Sequence, residues 1–172
     1  MNRRDLLVAT GGAGLVGGIG YVRFEGQPAV ERPDPIVLTT IDAPGSSVGE
    51  ITTPVDGTPT LVEFFATTCR ACSRYMSALT AAHETVGADV TFVSVTHEPV
   101  GVSVDVEDVR RWWIDHDGSW TVALDPELAL TDTLDVAALP TTVLFDSEGT
   151  VQWHDRGTKS ASKLVERIDA RR

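Results

Sequence analysis

A run of β-branched and aromatic residues, Thr60-Leu61-Val62-Glu63-Phe64-Phe65, leads into the pair Cys69 and Cys72, and an amphipathic stretch begins directly behind it. The turn residues Asp56-Gly57-Thr58-Pro59 precede the run and mark it as a buried strand. From Arg70 to Val86 the apolar positions Met76, Leu79, Ala82 and Val86 recur at three- and four-residue spacing, which is helical, and Gly87 supplies a C-cap. Val90 to Val95 is a second uninterrupted β-rich run. Strand, helix and strand within about forty residues make a βαβ unit. Such a unit closes right-handed and makes its two strands parallel, so the chain is of the α/β class.

The remainder extends that unit. Val106, Val109 and Trp113 mark a short helix, Trp120 to Leu124 a short strand, and Pro126 is expected to open another helix at its first turn. Thr141 to Phe145 and Thr150 to Trp153 flank Asp146-Ser147-Glu148-Gly149, which is hairpin chemistry with a four-residue loop. Ser160 caps a final helix whose inward stripe is Leu164, Val165 and Ile168. A mixed sheet with helices on both faces follows. Trp112, Trp113 and Trp120 are expected in the packing, and His83, on the helical face of Met76, is expected to be half-buried and neutral. A length of 172 residues, 42% of them hydrophobic, suits one domain.

The cysteines fall where strand gives way to helix, and this position has chemical consequences. Free N–H groups of a first helical turn, with the positive end of the helix dipole, stabilise a thiolate at Cys69. Arg70 adds a cation in the same sense, and Cys72, one turn further in, can meet Cys69 in a disulfide. No other cysteine exists, which excludes a disulfide-stapled secreted scaffold. A Cys-x-x-Cys pair is also half of a zinc site, but the other half needs two more ligands at short spacing, and His83, His97, His116 and His154 are scattered singly. No metal and no cofactor is expected. The net charge of −11 repels phosphate backbones and argues against nucleic acid and acidic substrates. Abundant carboxylates, with Lys159 and Lys163 as the only lysines, resemble the bias of proteins from salt-loving microbes.

Arg3-Arg4 stands before an uncharged stretch, Leu6 to Val22, that holds six glycines. This order of n-region and weakly apolar h-region resembles a twin-arginine export signal. No A-x-A-like cleavage site follows, since Val22-Arg23-Phe24 and Gln27-Pro28-Ala29 lack a small residue where one is required. Residues 1–22 are therefore expected to be an uncleaved signal anchor with the arginines on the cytoplasmic side. Residues 23–35, with three prolines, form a linker, and residues 36–172 form the folded domain.

The segment Phe64-Phe65-Ala66-Thr67-Thr68-Cys69-Arg70-Ala71-Cys72 resembles the F-W-A-T-W-C-x-x-C motif of the TlpA-like branch of thioredoxin-fold proteins. Leu139-Pro140-Thr141-Thr142-Val143-Leu144-Phe145-Asp146, with Gly149, resembles that family's cis-proline loop, strand and turn, and Ala123-Leu124-Asp125 its preceding strand end. The resemblance covers about residues 36 to 172. It implies a thioredoxin fold with an N-terminal β extension and an inserted helix. It also implies a membrane-anchored, extracytoplasmic thiol-disulfide oxidoreductase. Residue by residue, it implies Cys69 as attacking cysteine, Cys72 as resolving cysteine, and Pro140 as the cis-proline that, with Leu139 and Thr68, meets substrate. Glu63 falls where a buried carboxylate, its pKa raised, takes the proton of Cys72. Thr68 replaces the usual tryptophan and Arg70-Ala71 the usual proline-containing dipeptide, so the contact surface and the direction of electron flow stay open. The implied partners are client protein thiols or disulfides and a membrane or soluble redox partner. The alternative is a metal-binding module of the copper-delivery type, although that class calls for C-x-x-x-C and a partnering histidine.

Overall fold

The strand Thr60–Phe65 (β3) is buried along its whole length, as a near-continuous apolar run must be when both faces of a sheet are covered. It pairs in parallel with Thr91–Thr96 (β4) and antiparallel with Thr141–Phe145 (β6), and it lies inside a seven-stranded mixed sheet. A computed structural model describes residues 32–171, and the expected signal anchor, residues 1–22, and most of the expected linker lie outside these residues. Across the sheet the order is Gly49–Thr53 (β2), Ile36–Thr40 (β1), Thr121–Leu124 (β5), β4, β3, β6 and Val151–Arg156 (β7). The β1–β2 hairpin is antiparallel and joins β5 at the far edge, the N-terminal β extension expected from the family resemblance.

Arg70–Val86 (α1) crosses from β3 to β4, and Gly87 ends it with φ 62°, a conformation that costs glycine least. Val106–Asp115 (α2) is the inserted helix, and it carries a capping box between Asp105 and Asp108. Ala161–Asp169 (α4) begins at the Ser160 cap, whose hydroxyl accepts from the Lys163 N–H. These three helices share one face of the sheet: Met76 and Leu79, Val109 and Trp113, and Leu164 and Ile168 belong to one apolar cluster with Leu61 and Phe65. The short helix Ala129–Thr133 (α3) covers the other face, where Leu130 packs with Val62, Phe64, Val93 and Val143. Among the described residues no helix is long and apolar enough to cross a membrane.

Pro126 does not open a helix. α3 starts three residues later, behind Leu128 at φ 61°. The buried Asp125 carboxylate accepts from both the N–H and the hydroxyl of Thr131, at 2.8 and 2.7 Å, while the Asp125 carbonyl accepts from the Leu128 N–H. Those bonds close a turn in which Pro126 sits exposed.

The tryptophans lie where the sequence puts them. Trp113 is fully buried and its indole N–H donates to the Pro44 carbonyl at 3.0 Å. Trp112 stacks on Phe65 with ring centroids 4.6 Å apart.

Candidate active site

Cys69 is the N-cap of α1, in extended conformation, and the chain reaches it through a turn closed by the Cys69 N–H on the Ala66 carbonyl. Its sulfur accepts from the Cys72 N–H at 3.1 Å, one of the orphan amides of the first helical turn. The two cysteines form a disulfide with their Cα atoms 5.2 Å apart. Cys72 is fully buried in the apolar cluster beneath α1, whereas Cys69 is half-buried between the exposed Thr68 and Arg70. One sulfur thus faces outward and the other inward. An amide already aimed at the outer sulfur is poised to stabilise it as a thiolate.

The pairing of Phe64 with Thr141 sets Pro140 beside the end of β3 from which the Cys69 loop departs. The Leu139–Pro140 bond is cis, Pro140 is buried, and its carbonyl accepts from the Gly157 N–H at 2.7 Å. Leu139 is half-buried against both apolar clusters.

Glu63 lies two residues from both Leu61 and Phe65 and alternates with Val62 and Phe64, so like Leu61 and Phe65 it faces the α1 side of the sheet, the layer that holds Cys72 and Tyr75. It is 1% exposed. Its Oε2 accepts from the Ser94 hydroxyl at 2.9 Å, and Oε1 is buried without a hydrogen-bond partner. Burial pushes its pKa up to about 8, against the opposing pull of Ser94. A carboxyl group so placed exchanges protons near neutral pH, as a general acid-base needs.

Three further groups belong to the site and carry no local sequence signal. The buried Glu98 accepts from the N–H and the hydroxyl of Thr67, and from the Thr96 hydroxyl. It ties the loop before Cys69 to the end of β4. The buried Tyr75 phenol shares a 3.0 Å hydrogen bond with Thr142 on the cis-proline strand, and desolvation raises its pKa further. Ser94 stands next to Glu63 in the parallel register. His83, half-buried against Phe92 and Trp120, has its pKa lowered by desolvation, with Glu84 opposing.

The profile of the Redoxin family matches residues 28–170. Among curated protein sequences none matches. Of solved structures, StoA from Bacillus subtilis is similar with a TM-score of 0.66 and 20% identity, over 82% of this chain and 99% of StoA. A secreted Mycobacterium tuberculosis disulfide oxidoreductase homologous to E. coli DsbE is similar with a TM-score of 0.65 and 19% identity, over 78% of this chain and 95% of that one. The pneumococcal exposed lipoprotein thioredoxin from Streptococcus pneumoniae is similar with a TM-score of 0.63 and 19% identity, over 79% of this chain and 98% of that one. At these identities the likeness is one of fold.

Proposed function

The chain belongs to the Redoxin family, and from that premise we propose that it is a thiol-disulfide oxidoreductase that exchanges the Cys69–Cys72 dithiol and disulfide with client protein cysteines outside the cytoplasm. The observation that carries this reading is the asymmetry of the pair. An outward sulfur at a helix N-terminus stands over an inward sulfur, in a layer that also holds a buried carboxyl group.

In the direction that reduces the client, the Cys69 thiolate attacks one sulfur of the client disulfide. A mixed disulfide forms, and the other client sulfur leaves with the electron pair and takes a proton from water. Cys72 then loses its proton to Glu63 and attacks Cys69. The Cys69–Cys72 bond forms, the bond to the client breaks, and the client leaves as a second thiolate. The pair gives up two electrons, and the reverse sequence oxidises a client dithiol. Arg70 favours the Cys69 thiolate as a neighbouring cation. In this reading Thr68, which precedes Cys69, and Leu139 and Pro140, which lead into the strand paired with β3, receive the client backbone.

Location outside the cytoplasm is supported by the export-like residues 1–22 and by fold relatives described as secreted or exposed. In this reading the N-terminal segment holds the domain at the membrane. A metal-delivery role would need ligands beyond the two sulfurs. The test is exchange with a model protein disulfide by the reduced chain, together with the reduction potential of its cysteine pair. Turnover that Cys69→Ser abolishes supports the reading, and stoichiometric metal binding without exchange overturns it. A potential near −270 mV would mark a reductant and one near −120 mV an oxidant, by the values typical of thioredoxin and of a strong periplasmic oxidant.

A further inference from the structure

Glu63 is held by one oxygen only, and the bond that holds it is fixed in direction by a second one. The Trp120 indole N–H donates to Ser94 Oγ at 3.0 Å, and Ser94 Oγ stands 2.9 Å from Glu63 Oε2. An indole nitrogen has a single hydrogen and no acceptor, so Ser94 must accept from Trp120. The one hydroxyl hydrogen of Ser94 is thereby left for Glu63. All three residues are buried, at 4%, 0% and 1% exposure, so water does not compete for these bonds. The carboxylate is engaged at Oε2 as an acceptor, and Oε1 has no partner.

We propose that Ser94 and Trp120 are positioning residues for the resolving step: they orient Glu63 through Oε2 and reserve Oε1 as the oxygen that takes the Cys72 proton. This rests on the reading of Glu63 as that acceptor. A buried carboxylate free to accept at either oxygen would have two orientations to choose from, whereas this one has a single oxygen without a partner. The locked hydroxyl also stabilises the ionised form, which lets a group so deeply buried ionise in the working range. Other titratable groups facing this layer are Cys72 and Tyr75 on α1 and Asp155 on β7, across Thr142 in the register. His83 on α1 packs against Trp120 with the rings tilted and their centroids 5.2 Å apart, at the outer end of the chain of bonds. Burial keeps the Tyr75 phenol protonated throughout the relevant pH range.

The test uses the reduced full chain mixed with one equivalent of dithiobis(nitrobenzoate), where the first thiol released reports attack and the second reports resolution. In the unaltered protein the resolution rate rises with pH through the ionisation of Glu63, and Glu63→Gln removes that titration. Ser94→Ala should move the midpoint up by about one to two pH units and leave the attack rate unchanged, as expected for loss of one hydrogen bond to a charged group. Ser94→Ala also orphans the indole N–H. The double variant Ser94→Ala with Trp120→Phe removes donor and acceptor together, and should show the same upward shift in a folded protein. A midpoint unmoved in both variants, while Glu63→Gln still abolishes the titration, overturns the inference and leaves the Glu63 reading standing. A resolution profile unchanged by Glu63→Gln overturns that reading and the inference with it.

Discussion

Glu98 reaches across 31 positions of sequence to hold Thr67 twice, through its backbone N–H and its hydroxyl, each at 2.8 Å. Thr67 lies two residues before Cys69, and Glu98 stands just beyond β4, so the carboxylate fastens the Cys69 loop to the central sheet. Hydrogen bonds to a buried charge are worth about 1.5 to 3 kcal/mol. Glu98→Ala should therefore lower unfolding stability by about 2 to 4 kcal/mol and slow disulfide exchange, with Glu98→Gln between it and the parent. Denaturant unfolding and exchange rates read both effects. Parent-like stability together with parent-like exchange in Glu98→Ala would remove the loop anchor from the account.

Glu63 links stability to pH in an unusual sense for a carboxyl group. Its folded pKa, about 8, lies above the ordinary 4.5, so between these values the folded state binds the extra proton. Its contribution is fully present below about pH 4.5 and is lost as pH rises through about 8. Glu63→Gln, which stays neutral, should lack this loss and gain on the parent progressively across that window. Unfolding free energies of both proteins at several pH values give the comparison. A constant difference from pH 4.5 to above pH 8 would mean that Glu63 is not held protonated by burial.

How much of this was legible beforehand depends on the reach of each interaction. β3, α1 with its Gly87 terminus and α4 with its Ser160 cap are determined by neighbours within a few residues, and local pattern locates them. Pro126 points to a helix start that α3 does not have, because the Asp125 side chain accepts from Thr131, a bond that the usual helix-opening role of proline does not foretell. The cysteine pair is visible as a motif, and the family resemblance supplied Glu63 and Pro140. Glu98 and the Ser94–Trp120 pair escaped because their contacts join residues 26 to 31 positions apart. Such contacts exist only once β3, β4 and β5 lie side by side. An acidic residue after a strand, or a serine within one, gives no sign of this alone.

The surface charge leads to a salt dependence. With fourteen basic and twenty-five acidic side chains the folded chain repels itself, and added salt screens that repulsion. The thermal midpoint should rise between low and molar sodium chloride. Salt-independent midpoints would return the acidic composition to an ordinary solubilising role.

Export is expected to depend on Arg3-Arg4. Replacing both with lysine should abolish appearance of the domain outside the cytoplasm if twin-arginine receptors read the pair. The exported parent should stay with the membrane fraction after a high-salt wash. A soluble exported form beginning between Arg23 and Ile36 would contradict the anchor, and undiminished export of the lysine variant would contradict the route.

With Cys69 capping α1 at its exposed end and Cys72 buried one turn inside, Cys69 is expected to attack and Cys72 to resolve. Non-reducing electrophoresis of Cys72→Ser and Cys69→Ser, each expressed in full length, distinguishes the two orders. Cys72→Ser should accumulate a covalent adduct with a client through Cys69, because the mixed disulfide has lost its resolving sulfur. Cys69→Ser should capture nothing. Adducts formed by Cys69→Ser and not by Cys72→Ser would reverse the order of attack.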